Sequence, residues 1–153
     1  MKVHAVSLNP VDYKLTRRGN PNWTFPHVLG LDVAGVVDAV GSAVDKWHRY
    51  DRVFYHGDLT KDGGFAEYAI TTAHTTARIP ENVAFAEAAA IPCAGLTAYE
   101  AVVRRLDLQR GHTVWIQGGA GGVGGFGIQI SKNIGATVIT TASTGNHDFV
   151  KSI

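Results

Sequence analysis

Apolar positions along this chain change their period near residue 80. Before it they alternate in short runs: residues 2–8 (KVHAVSL), a β-rich run over 28–40 (VLGLDVAGVVDAV), a short run over 52–55, and FAEYAIT over 65–71. Period-two alternation predicts half-buried strands. Asn9-Pro10 ends the first run in a turn, residues 17–27 hold two prolines and no period and read as loop, and Gly41-Ser42 closes the second run. Short strands with this punctuation predict a small barrel or sandwich-like module. After residue 80 the pattern turns helical. Residues 80–90 contain a short Ala-rich helix that Pro92 stops, and Leu96, Tyr99, Val102, Val103 and Leu106 mark one side of a second helix over 96–106. The change of character places a domain boundary between residues 80 and 95, dividing the chain into domains 1–90 and 91–153.

The second part is organised around residues 113–124, TVWIQGGAGGVG. Thr113, Val114, Trp115 and Ile116 are β-formers, and the glycines after them let the backbone turn sharply. A helix comes next, with Val123, Phe126, Ile130 and Ile134 three or four apart and Gly135 at its C-cap, and residues 136–142 (ATVITTA) read as the next strand. Strand, glycine turn, helix and strand form the first βαβ unit of a dinucleotide-binding sheet. Gly119, Gly121 and Gly124 fit G-x-G-x-x-G. Free N–H groups and the dipole at the helix start favour a phosphate there, and Gly121 admits the close approach of a pyrophosphate.

Composition narrows the function classes. With 45% hydrophobic and 18% charged residues the chain reads as globular, and a formal charge of +1 argues against nucleic acid or an anionic membrane as partner. No run is long enough for a membrane span, and the apolar run of MKVHAVSLNP is too short for a signal peptide. A single cysteine, Cys93, excludes an intrachain disulfide and fits a reducing, cytoplasmic setting.

Seven pieces carry a resemblance: NPVDYK (9–14), GLDVAGVV (30–37), DRVF (51–54), GGFAEYA (63–69), AAAIPCAGLTAYEA (88–101), GGAGGVG (118–124) and ITTAS (139–143). In this order, over nearly the whole chain, they resemble the medium-chain dehydrogenase/reductases, in the zinc-free quinone oxidoreductase and alkenal/enone reductase branch. The resemblance implies an α/β fold in which a GroES-like β-rich domain, incomplete here, precedes the first part of a Rossmann domain. It also implies hydride transfer to a quinone or an α,β-unsaturated carbonyl, and a homodimer in the full-length form. The family's Gly-Asp-Arg-Val stands here as Tyr50-Asp51-Arg52-Val53.

Zinc members of the family carry a Cys near the first motif, a Gly-His-Glu motif and a lobe of four close Cys. Here the first two read Asn9-Pro10-Val11-Asp12 and Gly30-Leu31-Asp32, and no Cys lies within 54–63. The 7 His show no H-x-x-x-H spacing, so no metal is expected and the histidines read as structural or surface residues. Dinucleotide contacts are expected from Gly119, Ala120, Gly121, Gly122, Val123 and Gly124, and from Thr141, Ser143 and Asn146 beyond the second strand. No acid stands at that strand's end to hold a ribose 2′-OH; Ser143 and Asn146 can donate to a 2′-phosphate, so the expected cofactor is NADPH. Ser143 and Thr144 have capping of the next helix as a competing role, the better one for Thr144.

The catalytic candidates are Asn9, Tyr13 and Lys14, in the segment that the resemblance turns toward the nicotinamide. Lys14 would hold the cofactor or stabilise a developing enolate, and Tyr13 is a pocket wall or a packing aromatic. Asp12 and Asp32 read as structural hydrogen-bonders and Cys93 as a small buried hydrophobe, while Thr97 is a candidate nicotinamide contact. A six-stranded Rossmann sheet does not fit in the stretch from residue 113 to residue 153. These 153 residues alone are therefore expected to bind nucleotide weakly, to associate and to turn over negligibly. A non-catalytic NADPH-binding protein and an inactive fragment of such a reductase stay open as alternatives.

Overall fold

The computed structural model describes residues 1–153, which fold as two units, Met1–Cys93 and Ala94–Ile153. In the first, strands β1 (Lys2–Ser7), β2 (Asp32–Val36), β3 (Arg52–His56) and β4 (Thr76–Arg78) form an antiparallel sheet in that order. Directly opposed pairs set its two faces. Val33 and Tyr55 are partners and pack with Ala69 and Val3 on one face; Ala34 and Phe54 are partners and pack with Ile79, Ala88 and Ala89 on the other. Two of these, Ala88 and Ala89, lie on a short helix over residues 85–89 that covers the second face.

Several sequence expectations change. The turn at Asn9-Pro10 is the start of a helix, α1 (Pro10–Arg18). Pro10 is pre-set for the first helical position, and the Asp12 carboxylate accepts the Asn9 N–H at 2.8 Å. The short Ala-rich helix expected within 80–90 is found as α2 (Phe85–Ala89). The expected run over 28–40 narrows to β2, because Gly30 sits at φ +101, where an extended strand cannot run. Residues 65–71 make one bridge, Tyr68 to Lys2, instead of a strand; only Ala69 of that run is buried, so too little of it packs to hold a ladder. The expected turn at the lost family glycine is kept by Tyr50 itself, at φ +79, a conformation that costs a side-chain-bearing residue about 1–2 kcal/mol.

The second unit holds β5 (Thr113–Ile116), α4 (Gly122–Ile134) and β6 (Thr137–Thr140), with β5 and β6 parallel and in register from Thr113↔Thr137 to Ile116↔Thr140. This is the expected strand–turn–helix–strand unit. Gly135 ends α4 at φ 90 with its N–H on the Lys132 and Ser131 carbonyls, as a C-cap glycine does. The side of α4 that is buried differs from the expected one. Gly124, Gly127, Ile128 and Ser131 are buried, whereas Val123 is exposed and Phe126, Ile130 and Ile134 are half-buried. Small positions let the helix lie close on the sheet; a Cβ on Gly127 would stand 3.3 Å from Ile116. Helix α3 (Pro92–Tyr99) begins four residues earlier than expected, with Pro92 starting it, and runs on through a π-helical stretch, Glu100–Arg105, that closes with Leu106 N–H on the Ala101 carbonyl. Of its expected apolar side only Val102 is buried; Leu96, Tyr99 and Leu106 are exposed. A short helix, α5 (His147–Ser152), comes last, and no helix is long and apolar enough to cross a membrane.

Tyr55 makes a test of the first core. Its ring is buried, its hydroxyl has no hydrogen-bond partner, and burial pushes its phenol up to about 12. Removing an unpartnered buried hydroxyl costs nothing, so Tyr55→Phe is expected to leave stability unchanged or raise it by up to about 1 kcal/mol. An acid whose folded pKa lies above its unfolded value keeps its proton in the fold. Its contribution is therefore complete below pH 10 and is lost as pH rises through about 12. Urea unfolding across that window should show the loss in the parent and not in Tyr55→Phe.

Candidate functional site

The first unit gathers its polar groups on one carboxylate. Asp32 opens β2 and is fully buried, directly opposite His56 at the end of β3. Its Oδ2 accepts from the Asn9 side-chain amide and from the Cys93 backbone N–H, each at 2.9 Å, and its Oδ1 lies 2.6 Å from His56 Nδ1. Asp32 is thus the structural hydrogen-bonder expected of it. A carboxylate taken out of water needs such donors. Asn9, at the N-cap of α1, reaches it with its Nδ2–H. Asp12 is likewise buried, with Oδ2 on the Asn9 N–H and Oδ1 unpartnered.

Of the catalytic candidates, Asn9 is half-buried in this cluster, while Tyr13 and Lys14 project from α1 into solvent. At 56% exposure Tyr13 is not a packing aromatic of the core. His56 was missed. It belongs to no motif and stands 24 residues from Asp32; the signal was in pairing GLDVAGV against DRVFYHG as neighbouring strands, which sets Asp32 and His56 opposite each other. It is a structural residue, as expected of the histidines, and a member of the Asp32 polar cluster.

Asp32, His56 and Cys93 bring one ligand atom each within 4.8 Å of one another, which raises the question of zinc. As arranged they do not fit it. Two ligands on a tetrahedral zinc stand about 3.3 Å apart, yet His56 and Asp32 approach to 2.6 Å and satisfy each other. Burial, then the charges of Asp32 and Asp12, push the Cys93 thiol up, away from the thiolate that a metal needs.

In the second unit the chain folds its glycines to two ends. Gly119 and Gly124 are held by packing: a Cβ on Gly119 would press into Thr140 Oγ1, and one on Gly124 into the Gly118 carbonyl. Gly121 and Gly122 are exposed and less crowded, a Cβ meeting Gly118 O at 3.3 Å and Ala94 at 3.4 Å respectively. Gly121 is the N-cap of α4, whose first N–H groups have no partner within the helix. Thr141 braces the turn, its Oγ1 accepting from Gly118 N–H at 3.1 Å and its carbonyl from Gly119 N–H at 2.9 Å. Gly118, Gly121, Gly122, Val123 and Gly124 line one side of a groove of about 450 Å³. Ala120 is half-buried, and Thr97 lies exposed on α3. Beyond β6, the exposed Ser143 hydroxyl accepts from Asn146 Nδ2 at 2.9 Å, so these two polar groups are brought together. Neither Ser143 nor Thr144 makes a side-chain cap to the next turn, and Asn146 holds the N-cap position of α5.

Residues 1–81 match the alcohol dehydrogenase GroES-like domain. The chain is 38% identical over 149 residues to a zinc-type alcohol dehydrogenase-like protein of Staphylococcus epidermidis, covering 94% of this chain and 44% of that protein. Among solved structures it resembles an alcohol dehydrogenase superfamily protein from Novosphingobium aromaticivorans (TM-score 0.92, 36% identity, 99% of this chain and 47% of that one). It also resembles the quinone oxidoreductase from Coxiella burnetii (TM-score 0.90, 39% identity, 99% and 49%). The chain spans slightly under half the length of these relatives. With the matched domain, the sheet that holds Asp32 and the glycine turn all in one order, the chain belongs to the medium-chain dehydrogenase/reductases, the oxidoreductase family built on the alcohol dehydrogenase GroES-like domain.

Proposed function

We propose that this chain is part of a zinc-independent, NADPH-dependent reductase of quinones or α,β-unsaturated carbonyls. The observation that carries the reading is the glycine turn: Gly121 is exposed at a helix start whose first N–H groups lack partners within the helix, between the closely packed Gly119 and Gly124. A relative named quinone oxidoreductase supports the acceptor class. In this reading residues 1–90 are the catalytic domain and 91–153 the start of the nucleotide domain, in a cytoplasmic homodimer.

NADPH, when bound, supplies the hydride. Gly119, Ala120, Gly121, Gly122, Val123 and Gly124 seat its pyrophosphate, Thr141 holds the turn in shape, Thr97 touches the nicotinamide, and Ser143 and Asn146 take the 2′-phosphate. Asn9, Tyr13 and Lys14 orient the acceptor and stabilise charge on its oxygen.

Because the Asp32 cluster is closed by its own hydrogen bonds, metal analysis of chelator-free protein is expected to find well under one zinc per chain; stoichiometric zinc would remove the zinc-independent part of the reading. Ser143→Asp sets a carboxylate against the 2′-phosphate and is expected to cost about 1–3 kcal/mol of NADPH binding, with little change for NADH. Equal affinities before and after that change would show the loop to be misassigned. Oxidation of NADPH with a panel of quinones and enones, by this chain and by one extended to the length of its relatives, tests the whole reading. Nucleotide binding without turnover in either would favour a non-catalytic NADPH-binding protein.

A further inference from the structure

We propose that His56 is the proton donor of the reaction, oriented by Asp32. The inference rests on the reductase reading above. A quinone or enone that receives a hydride, and with it two electrons, still lacks one proton, and Asn9, Tyr13 and Lys14 leave its source open.

Asp32 is fully buried, and its counter-charge must come from what touches it. Asn9 and the Cys93 backbone bring neutral N–H groups to Oδ2; His56 alone among its partners can become a cation. The contact between Oδ1 and Nδ1, at 2.6 Å, is shorter than ordinary N–H···O bonds, the direction in which charge assistance shortens them. Cys93 Sγ is the other titratable atom within 4.8 Å, and burial, then the charges of Asp32 and Asp12, raise its thiol and keep it neutral.

His56 spans the boundary between this buried anion and solvent. Its side chain is 34% exposed, Nδ1 is spent on Asp32, and Nε2 has no protein partner. Asp32 also grips Asn9, so one carboxylate fixes both the imidazole and the amide of the NPVDYK segment. In the step, the hydride arrives from NADPH, which is oxidised to NADP⁺. The Nε2–H bond of His56 breaks, and an O–H bond forms on the quinone, or on the enolate oxygen of an enone. Water then returns a proton to Nε2.

The decisive measurement is the ring ¹⁵N spectrum of this chain at pH 7, with His56 assigned by its loss in His56→Gln. Both ring nitrogens should carry protons, and Asp32→Asn should abolish the cation. An Nε2 without a proton in the parent overturns the proposal, whatever the activity. His56→Gln can keep the bond to Asp32 and so the fold. In a chain extended to the relatives' length, it should slow acceptor reduction 10²-fold or more while NADPH affinity holds, and the solvent isotope effect on reduction should vanish. A variant as fast as the parent overturns the proposal and leaves the reductase reading intact. A parent that binds NADPH and reduces no acceptor removes the reductase reading and the proposal with it.

Discussion

Asp32→Ala is expected to lower the unfolding free energy of this protein by about 3–5 kcal/mol, since each donor left without its acceptor costs about 1–3 kcal/mol. Three donors lose their acceptor at once: the Asn9 amide, the Cys93 backbone N–H and His56. Those donors come from the start of α1, the start of α3 and the end of β3, so the carboxylate ties three segments to the first residue of β2. Water cannot easily replace it at a fully buried position. Asp32→Asn keeps one acceptor oxygen and should lose clearly less. Urea unfolding followed by tryptophan fluorescence reads both. A loss below about 0.5 kcal/mol for the alanine variant, the size of an ordinary surface substitution, would mean that the cluster holds nothing together.

The second large effect falls on the glycine turn, where two glycines of one motif should behave oppositely. In Gly124→Ala the new methyl meets the Gly118 carbonyl oxygen and the Gly119 Cα, the latter at 2.9 Å, and both are backbone. The turn has to move, and the two bonds that Thr141 makes to it are strained or lost. Overpacking of this kind costs about 1–3 kcal/mol, and NADPH affinity should fall more than tenfold. In Gly121→Ala the methyl meets Gly118 O at 3.3 Å, a tight contact that a shift of a few tenths of an ångström relieves. Stability should fall by less than about 1 kcal/mol, clearly less than in Gly124→Ala, while NADPH binding still weakens, because on the proposed reading the methyl stands where the pyrophosphate approaches. Thermal unfolding together with nucleotide fluorescence titration separates the two. Equal nucleotide affinity in Gly121→Ala and the parent would take the phosphate role away from this turn.

These two sites differ in how legible they were. The glycine turn was fully readable, since strand, glycines and helix are contiguous and each has a local physical requirement. What could not be read was the division of labour within it: whether a glycine serves packing or a ligand depends on Thr140, Ile128 and Gly118 across the turn. The α4 face was legible only in part: Ile130 and Ile134 do pack on the Val102, Leu108 and Val114 cluster. Apolar spacing pointed to Val123, Phe126, Ile130 and Ile134, but close packing favoured the small side of the helix, Gly124, Gly127 and Ser131. Helix α1 was hidden by Asn9-Pro10, which serves turns and helix starts alike; Asp12, two residues past the proline, was the available sign of a helix. The Asp32–His56 pair is non-local, made by strand register across 24 residues, and no motif contains both.

Hydride delivery to an acceptor is the central claim, and isotope transfer tests it most directly. A chain carrying these 153 residues at the length of its relatives is given NADPH deuterated at the transferable position, with one equivalent of a quinone or an enone, in a single turnover. An enone product that carries the deuterium, and a quinone reduced at a rate slowed by the deuterium, are the predicted results. Loss of NADPH absorbance without deuterium in the enone product and without any isotope effect, or no reaction of bound NADPH with any acceptor, would contradict it.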